Sequence, residues 1–182
     1  MLFLDNGYYG GPALKRINEP LGDEEQAMKI EEKLAKMGLT LPPPVQYPSP
    51  NRTGCVQVGN LLFVSGHRPA ELPGVKTRGK VGGDVSEKEG YQAAQAVALN
   101  ILSSIKKHVG DLDRVKRVVK VLGMVNTAPG FERQFAVIDG ASDLFLELWG
   151  PEYGQHARAA VGMFELPRQI PVEIEGIFEL HE

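Results

Sequence analysis

Residues 155–175 read QHARAAVGMFELPRQIPVEIE, and this stretch decides the fold. Residues 157–165 and 172–180 combine small and β-branched side chains with period-two alternation, which predicts two strands. The five residues Leu-Pro-Arg-Gln-Ile at 166–170 connect them. The chain is therefore predicted to end in two strands of a sheet.

The strand period also assigns side chains to faces. Arg158 and Ala160 share one face of the first strand, and Glu173 and Glu175 share one face of the second. An arginine between small side chains suits bidentate binding of a carboxylate, although a structural ion pair at a sheet edge explains it equally well. The two acids suit either a solvated or interface face, or a carboxylate that orients water.

Upstream, the pattern predicts a hairpin, two helices and a long strand. Gly59-Asn60 between apolar runs is typical of a hairpin turn, and Ser86 with Glu89 forms a capping box at a helix start. Together the order β-β-α-β-α-β-β predicts an α+β fold with a mostly antiparallel sheet and helices on one face. The elements are strands at 55–58, 61–66 and 115–125, and helices at 86–110 and 129–149, the latter with Gly140 as a candidate interruption.

The first 48 residues differ in character from the rest. They are predicted to form an irregular arm, a helix that begins after Asp23 and ends at Gly38, and a stiff connector at Pro42-Pro43-Pro44. Two units follow from this: an N-terminal extension, 1–48, and a single domain, 49–182.

Composition narrows the function classes. The net charge of −3 gives no positive field for nucleic acid, so nucleic acid is an improbable partner. The single cysteine, Cys55, cannot form an intrachain disulfide and is expected to be a small buried strand residue. The four histidines show no metal-ligand spacing, so no metal is predicted. Without a secretory signal or an apolar run long enough to span a bilayer, a cytoplasmic protein is expected.

Several segments together resemble one family. Residues 156–167, HARAAVGMFELP, followed by VEIE at 172–175, resemble the C-terminal motif of the RidA/YjgF family. Residues 58–66, VGNLLFVSG, are similar to its first hairpin, and DGASD at 139–143 resembles its endoribonuclease-like branch. The resemblance covers about residues 50–180.

The resemblance implies a chorismate-mutase-like α+β subunit in a homotrimer, with ligand clefts between subunits. It implies hydrolysis of enamines or imines that carry a carboxylate, releasing ammonia, without a cofactor. By position, Arg158 matches the residue that binds the substrate carboxylate and Glu173 the acid that positions water. Ser65 and Gly66 match the strand end that lines the cleft. Ala160 falls where many relatives have cysteine, and its backbone carbonyl could serve there.

Two alternatives stay open. Arg52 stands where typical deaminases have a tyrosine and Ala141 replaces an asparagine, which favours a non-catalytic protein that binds small carboxylates in the same cleft. A ribonuclease is the other alternative, although the sequence offers no histidine pair or basic groove. If the last two strands form a simple hairpin, Arg158 lies opposite about Phe178 and roughly 16 Å along the strand from Glu173. That offset favours a site shared between subunits.

Overall fold

A computed structural model describes residues 29–182. The described chain contains three helices and five strands in the predicted order, so the α+β prediction is confirmed. The predicted helix start at Asp23 lies outside the described residues. The elements are α1 (Ile30–Lys36), β1 (Cys55–Val58), β2 (Leu61–His67), α2 (Glu87–Val109), β3 (Val115–Asn126), α3 (Gln134–Gly154), β4 (Ala157–Met163) and β5 (Val172–Leu180), with single 3-10 turns at Leu112–Arg114 and Pro167–Gln169.

The five strands form one sheet in the order β1-β2-β5-β3-β4. Only β3 and β4 run parallel, with α3 as the crossover between them. The expectation of a simple hairpin between the last two strands is wrong, because β3 lies between β4 and β5. The connection at 164–171 is long enough, with its 3-10 turn, to carry the chain past the end of β3. Val121 of β3 pairs with Arg158 on one side and with Gly176 on the other. Arg158 is consequently level with Gly176 and not with Phe178.

Helices α2 and α3 cover one face of the sheet and bury it. Ser86 caps α2 as predicted, since its hydroxyl accepts a hydrogen bond from the Glu89 amide and the Glu89 carboxylate accepts one from the Ser86 amide. Phe145 of α3 meets Phe178 of β5 edge to face at 5.7 Å, and both rings are fully buried. Burial of each such ring stabilises the fold by about 1.5–3 kcal/mol, so the helix–sheet interface is the main core.

Gly140 does not interrupt α3, contrary to the expectation from its position. A Cβ at Gly140 would overlap the backbone carbonyl of Tyr91 in α2, so this glycine allows the two helices to approach closely. The helical backbone ends later, at Gly150, whose φ of 70° and ψ of 177° introduce a kink before Pro151. The glycine that matters for helix continuity is therefore Gly150.

Helix α1 packs on the same core. Ile30 and Leu34 are buried in it, the Ile30 amide donates to Asp113 at 2.9 Å, and the buried Lys33 ammonium donates to the Leu148 carbonyl at 2.8 Å. The boundary between residues 48 and 49 remains a prediction, and α1 contacts the sheet-covering helices directly.

The other face of the sheet is uncovered in the described chain. Val58 is 62% exposed and Phe63 42% exposed there, and Val56 and Val161 are also exposed. Of residues 29–182, no helix combines the length and the apolar content that a bilayer span requires. The exposed apolar side chains of this open face are therefore carried by strands β1, β2 and β4.

Candidate active site

One pocket joins the end of β2 to the start of β5. Its volume is about 610 Å3, and its lining includes Gly66, Glu173, the proline-rich segment 42–48 and part of the connection before β5. We call it the Glu173 pocket. The sequence reasoning placed Gly66 and Glu173 in one cleft on resemblance alone, and in the structure these two residues are neighbours.

A β-bulge presents Gly66 to the pocket. Val64 pairs with Gly176 and His67 with Ile174, so Ser65 and Gly66 together oppose a single residue of β5. A Cβ at position 66 would overlap Oε1 of Glu173. The carboxylate therefore occupies space that only glycine leaves free.

Glu173 is half-buried on the open side of β5. Burial raises the pKa of its carboxyl group, and the negative charge of Glu175 on the same face raises it further. A carboxyl group with a raised pKa exchanges protons closer to neutral pH than an ordinary glutamate does. Glu173 is thus the described pocket residue best suited to accept and return a proton.

Three arginines line the Glu173 pocket: Arg52, Arg68 and Arg168. Arg68 forms an ion pair with Glu71 at 2.9 Å. The Arg52 guanidinium lies over the Tyr47 ring, 5.6 Å from its centre, and neither Arg52 nor Arg168 forms an ion pair within residues 29–182. The pocket therefore holds two cations without an acidic partner in the described chain.

Arg168 sits on an unusual backbone. Its φ is 59° and its ψ 17°, and the following residue, Gln169, also has a φ of 59°. Left-handed conformations cost roughly 1–2 kcal/mol for residues other than glycine. The turn is held by hydrogen bonds from the Gln169 amide to the Leu166 carbonyl and from the Gly79 amide to the Gln169 carbonyl. Strain of this kind concentrates at binding sites.

Arg158 lies elsewhere, on the helix-covered side of β4. Its Nη1 donates to Oδ1 of Asp139 at 2.7 Å and to the Ser142 hydroxyl at 3.0 Å, both on α3. The side chains of Arg158 and Asp139 are 22% and 23% exposed. The structural ion pair that the sequence left open is therefore present, and Nε and Nη2 make no hydrogen bond within the described chain.

His156 completes this cluster. Its Nδ1 lies 2.7 Å from the Gly154 carbonyl, which can only accept, so Nδ1 carries the proton. Nε2 then accepts from the Ser142 hydroxyl at 3.1 Å. Burial lowers the pKa of His156, and the nearby Arg158 lowers it further. The neutral tautomer is thus consistent with every contact, and we call residues Asp139, Ser142, His156 and Arg158 the Arg158 cluster.

Ser65 and Ala160 belong neither to the Glu173 pocket nor to the Arg158 cluster. The Ser65 hydroxyl donates to the Thr53 carbonyl at 2.7 Å and the residue lines a separate hollow of about 360 Å3 on the open face. Ala160 pairs with Gly123 on the side of Arg158. Of the five predicted site residues, the structure brings together Gly66 and Glu173 alone.

Cys55 is buried as expected, and burial raises the pKa of its thiol to about 11. In the part of the chain described here, no three His, Cys, Asp or Glu side chains converge as metal ligands.

The Tyr47 and Arg168 sides of the pocket were not predicted from the sequence. Tyr47 lies in the proline-rich segment, and its buried hydroxyl has no hydrogen-bond partner in residues 29–182. Arg168 follows Pro167 in what reads as a plain connection. The only sequence signal for this side of the pocket was an arginine between a proline and a strand. Such a pattern does not indicate a left-handed backbone.

Comparison with known proteins adds the family. The model of the family described as "YjgF/chorismate mutase-like, putative endoribonuclease" matches residues 31–169. Protein TCP17 of Trypanosoma cruzi is 40% identical over 153 residues, which span 84% of this chain and 95% of that protein. The crystal structure of Atu1372 from Agrobacterium tumefaciens, a protein of unknown function, is 42% identical with a TM-score of 0.76 and covers 84% of this chain and 92% of that one.

A crystal structure from Shewanella oneidensis, also described as a putative endoribonuclease, is 29% identical with a TM-score of 0.78, covering 84% of this chain and all of that one. The matched residues include α1 except Ile30, both long helices and the Arg158 cluster. The motif, the sheet order and the relatives agree, and the chain belongs to the YjgF/chorismate mutase-like family.

Proposed function

We propose that this protein hydrolyses enamines or imines that carry a carboxylate, releasing ammonia without a cofactor. The observation that carries the proposal is the placement of the Glu173 carboxylate in the pocket, against Gly66 and with a raised pKa. Hydrolysis of an electrophilic C=N carbon needs a positioned water and a group that accepts its proton, and Glu173 suits both tasks.

The reaction would proceed in two steps. Water adds to the C=N carbon while Glu173 accepts a proton from it, and the π electrons move to nitrogen, which takes up a proton. Glu173 supplies that proton and is ionised again, which gives a neutral carbinolamine. It then accepts the carbinolamine hydroxyl proton and passes it to the amino nitrogen as the C–N bond breaks, so a C=O bond forms and ammonia leaves. A 2-imino acid and one water thereby give one 2-keto acid and one ammonia.

The carboxylate anchor implied by the resemblance, Arg158, requires a second subunit. Arg158 and Glu173 project from opposite faces of one sheet, so they meet a common ligand only if different subunits supply them. The free edge of β4 and the exposed apolar side chains Val58, Phe63 and Val161 support association of copies. The homotrimer is therefore part of this proposal, and light scattering on the purified chain tests it.

The activity test uses 2-imino acids generated in place by an amino-acid oxidase, with ammonia release compared with the spontaneous rate. Wild type is expected to accelerate release, and Glu173→Gln to lose about 10²–10⁴-fold of that acceleration. Glu175→Gln is the matched control, because it removes the neighbouring carboxylate outside the pocket and should retain turnover at neutral pH. Release equal to the buffer rate for every imino acid tested would refute the proposal.

A non-catalytic carboxylate-binding protein is the second candidate, favoured by Arg52 in the pocket. Thermal shift with small carboxylates separates the two. Stabilisation by carboxylates without any imine turnover selects binding alone, whereas turnover selects the enzyme.

A further inference from the structure

We infer that the Glu173 pocket takes ligands with a second anionic group, a carboxylate or a phosphate, in addition to the carboxylate beside the C=N bond. For turnover this rests on the proposed function, whereas binding to the pocket can be measured without it. The inference concerns the substrate class, which neither the fold nor the family match specifies.

The charge of the pocket is the first argument. Within the part of the chain that the structure describes, its lining contributes three arginines and two glutamates. The Arg68–Glu71 ion pair is internally neutral, so the described lining has two further cations, Arg52 and Arg168, and one further acid, Glu173. Residues 29–182 therefore give this pocket one cation more than they give it anions, and a neutral Glu173 would make the excess two. A ligand with an additional negative charge restores the balance, and a planar guanidinium fork binds a carboxylate or a phosphate through paired hydrogen bonds.

The backbone at Arg168 is the second argument. Two successive non-glycine residues, Arg168 and Gln169, have left-handed φ values, and hydrogen bonds to Leu166 and Gly79 hold them in place. Backbone strain that the surrounding structure holds in place is concentrated at ligand-binding and active sites. The strained turn fixes the chain from which Arg168 projects at the pocket.

Arg52 is held in a different way. Its guanidinium lies on the face of the Tyr47 ring, which orients the cation without neutralising its charge. An arginine held by an aromatic ring keeps its hydrogen-bond donors available for a ligand. The two cations therefore come from opposite parts of the chain and are each positioned without an acidic partner in the described residues.

The size of the pocket agrees with a ligand larger than the imine of a small amino acid. Its volume of about 610 Å3 lies within the range of pockets that enclose whole organic ligands. An imino acid with an acidic side chain, or one that bears a phosphate ester, would bring both the reacting carbon and the second anion into one pocket.

Binding is tested with three short probes that all carry one carboxylate: butyrate has no second anionic group, glutarate has a second carboxylate, and 3-phosphonopropionate has a phosphonate. Titration calorimetry is run on wild type, Arg52→Gln, Arg168→Asn and the double variant. Asparagine is used at 168 because it tolerates the left-handed backbone. Arg78→Gln is the matched control, since Arg78 is exposed and lies outside the pocket.

Glutarate or 3-phosphonopropionate should bind wild type at least about tenfold more tightly than butyrate, and each arginine variant should remove about that factor. Arg78→Gln should bind like wild type. Tighter binding of the phosphonate assigns a phosphate, and tighter binding of glutarate a carboxylate. Equal affinity for all three probes, or dianion binding that the double variant leaves unchanged, overturns the inference.

Turnover separates this inference from the proposed function. The imines of glutamate and leucine are compared by kcat/KM in wild type and in the double variant. A preference for the glutamate imine that the double variant loses supports both ideas. Equal turnover of the two imines overturns the second anionic group and leaves the deaminase standing. If neither these two imines nor any other imino acid tested is turned over, the deaminase is refuted, and the probe titrations then decide the inference alone.

Discussion

Arg158 of β4 and Glu173 of β5 project from opposite faces of one sheet, with β3 between their strands. Val121 pairs with Arg158 and Met124 with Glu173, and these two residues of β3 also point to opposite faces, Val121 to the buried one. The two residues that make the C-terminal motif recognisable therefore serve different surfaces of the subunit. A common role in one reaction needs an assembly in which the two surfaces meet.

The ion pair between Arg158 and Asp139 is expected to stabilise the subunit independently of any ligand. Both side chains are mostly buried, so removing one partner should cost about 1–3 kcal/mol by leaving the other unsatisfied. Arg158→Ala and Asp139→Ala should therefore destabilise to a similar degree, and the double variant by less than the sum, as measured by urea unfolding.

Turnover distinguishes Arg158→Ala from Asp139→Ala. If Arg158 also anchors the substrate carboxylate, Arg158→Ala loses turnover beyond its loss of stability, whereas Asp139→Ala retains the guanidinium and most of the turnover. Equal activity losses at matched stability would make Arg158 purely structural.

Gly66→Ala is expected to displace the Glu173 carboxylate, because the added Cβ would overlap Oε1. A displacement of about 1 Å at a reacting group can reduce the rate by about 10²-fold. The loss should appear in kcat for ammonia release while the melting temperature changes little, since the carboxylate can turn away from the bulge.

Gly83→Ala is the matched control for that substitution. A Cβ at Gly83 would have only ordinary neighbours, the nearest at 3.4 Å, so activity should be kept. Full activity of Gly66→Ala would show that the position of Glu173 does not limit the reaction.

The elements of this fold were predictable because local patterns encode them. Alternation in residues 172–180 and the Ser86–Glu89 capping box depend on neighbours in sequence, and both are present in the structure. The order of the strands was harder to predict, because no local sequence pattern indicates that β3 lies between β4 and β5. Pairing is decided by burial of whole faces, and the parallel β3–β4 pair depends on the crossover through α3.

The site was predictable only in part for a similar reason. Gly66 and Glu173 meet because a bulge in β2 adds a residue opposite β5, and a bulge leaves no reliable trace in one sequence. The roles of Arg52 and Arg168 depend on a pocket that forms between the proline-rich segment and the connection before β5. Only the resemblance singled out Glu173, and it did so without revealing the environment that raises its pKa.

Glu175→Gln is expected to shift the acidic limb of the pH–rate profile to lower pH. Glu173 must be ionised to accept a proton, so activity falls as the pH falls through its pKa. Removal of the Glu175 charge lowers that pKa, while burial, the larger cause, still keeps it raised. The shift should be visible in kcat/KM between pH 4 and 7, and it should shrink in high salt because screening weakens the interaction.

A limb that does not move, in a variant with wild-type activity at neutral pH, would assign the acidic limb to another group. Glu179→Gln is the suitable comparison, since Glu179 is on the same strand face but pairs with Lys116 at 3.0 Å.

His67 is expected to make the protein less stable as the pH falls. It is 1% exposed; its Nδ1 donates to the Ser65 carbonyl at 2.6 Å and its Nε2 accepts from the Ser104 hydroxyl at 2.8 Å. Burial lowers its pKa in the folded state. Below the unfolded value of about 6.5, the unfolded chain binds a proton that the folded chain does not, so the free energy of unfolding falls by at most about 1.4 kcal/mol per pH unit.

Urea unfolding at pH 7.5 and 5.5 measures this loss, and the quantity compared is the difference between the two pH values in each variant. His67→Asn lowers stability at both pH values by removing buried contacts, but its loss between them should be smaller than that of wild type. His108→Asn, at an exposed position, should keep the wild-type difference.

Glu173 acts in the opposite direction, because its raised pKa makes the folded state lose stability as the pH rises, and comparison between variants cancels that contribution. If His67→Asn kept the full wild-type difference, the loss would have to come from His156, whose pKa is also lowered by burial.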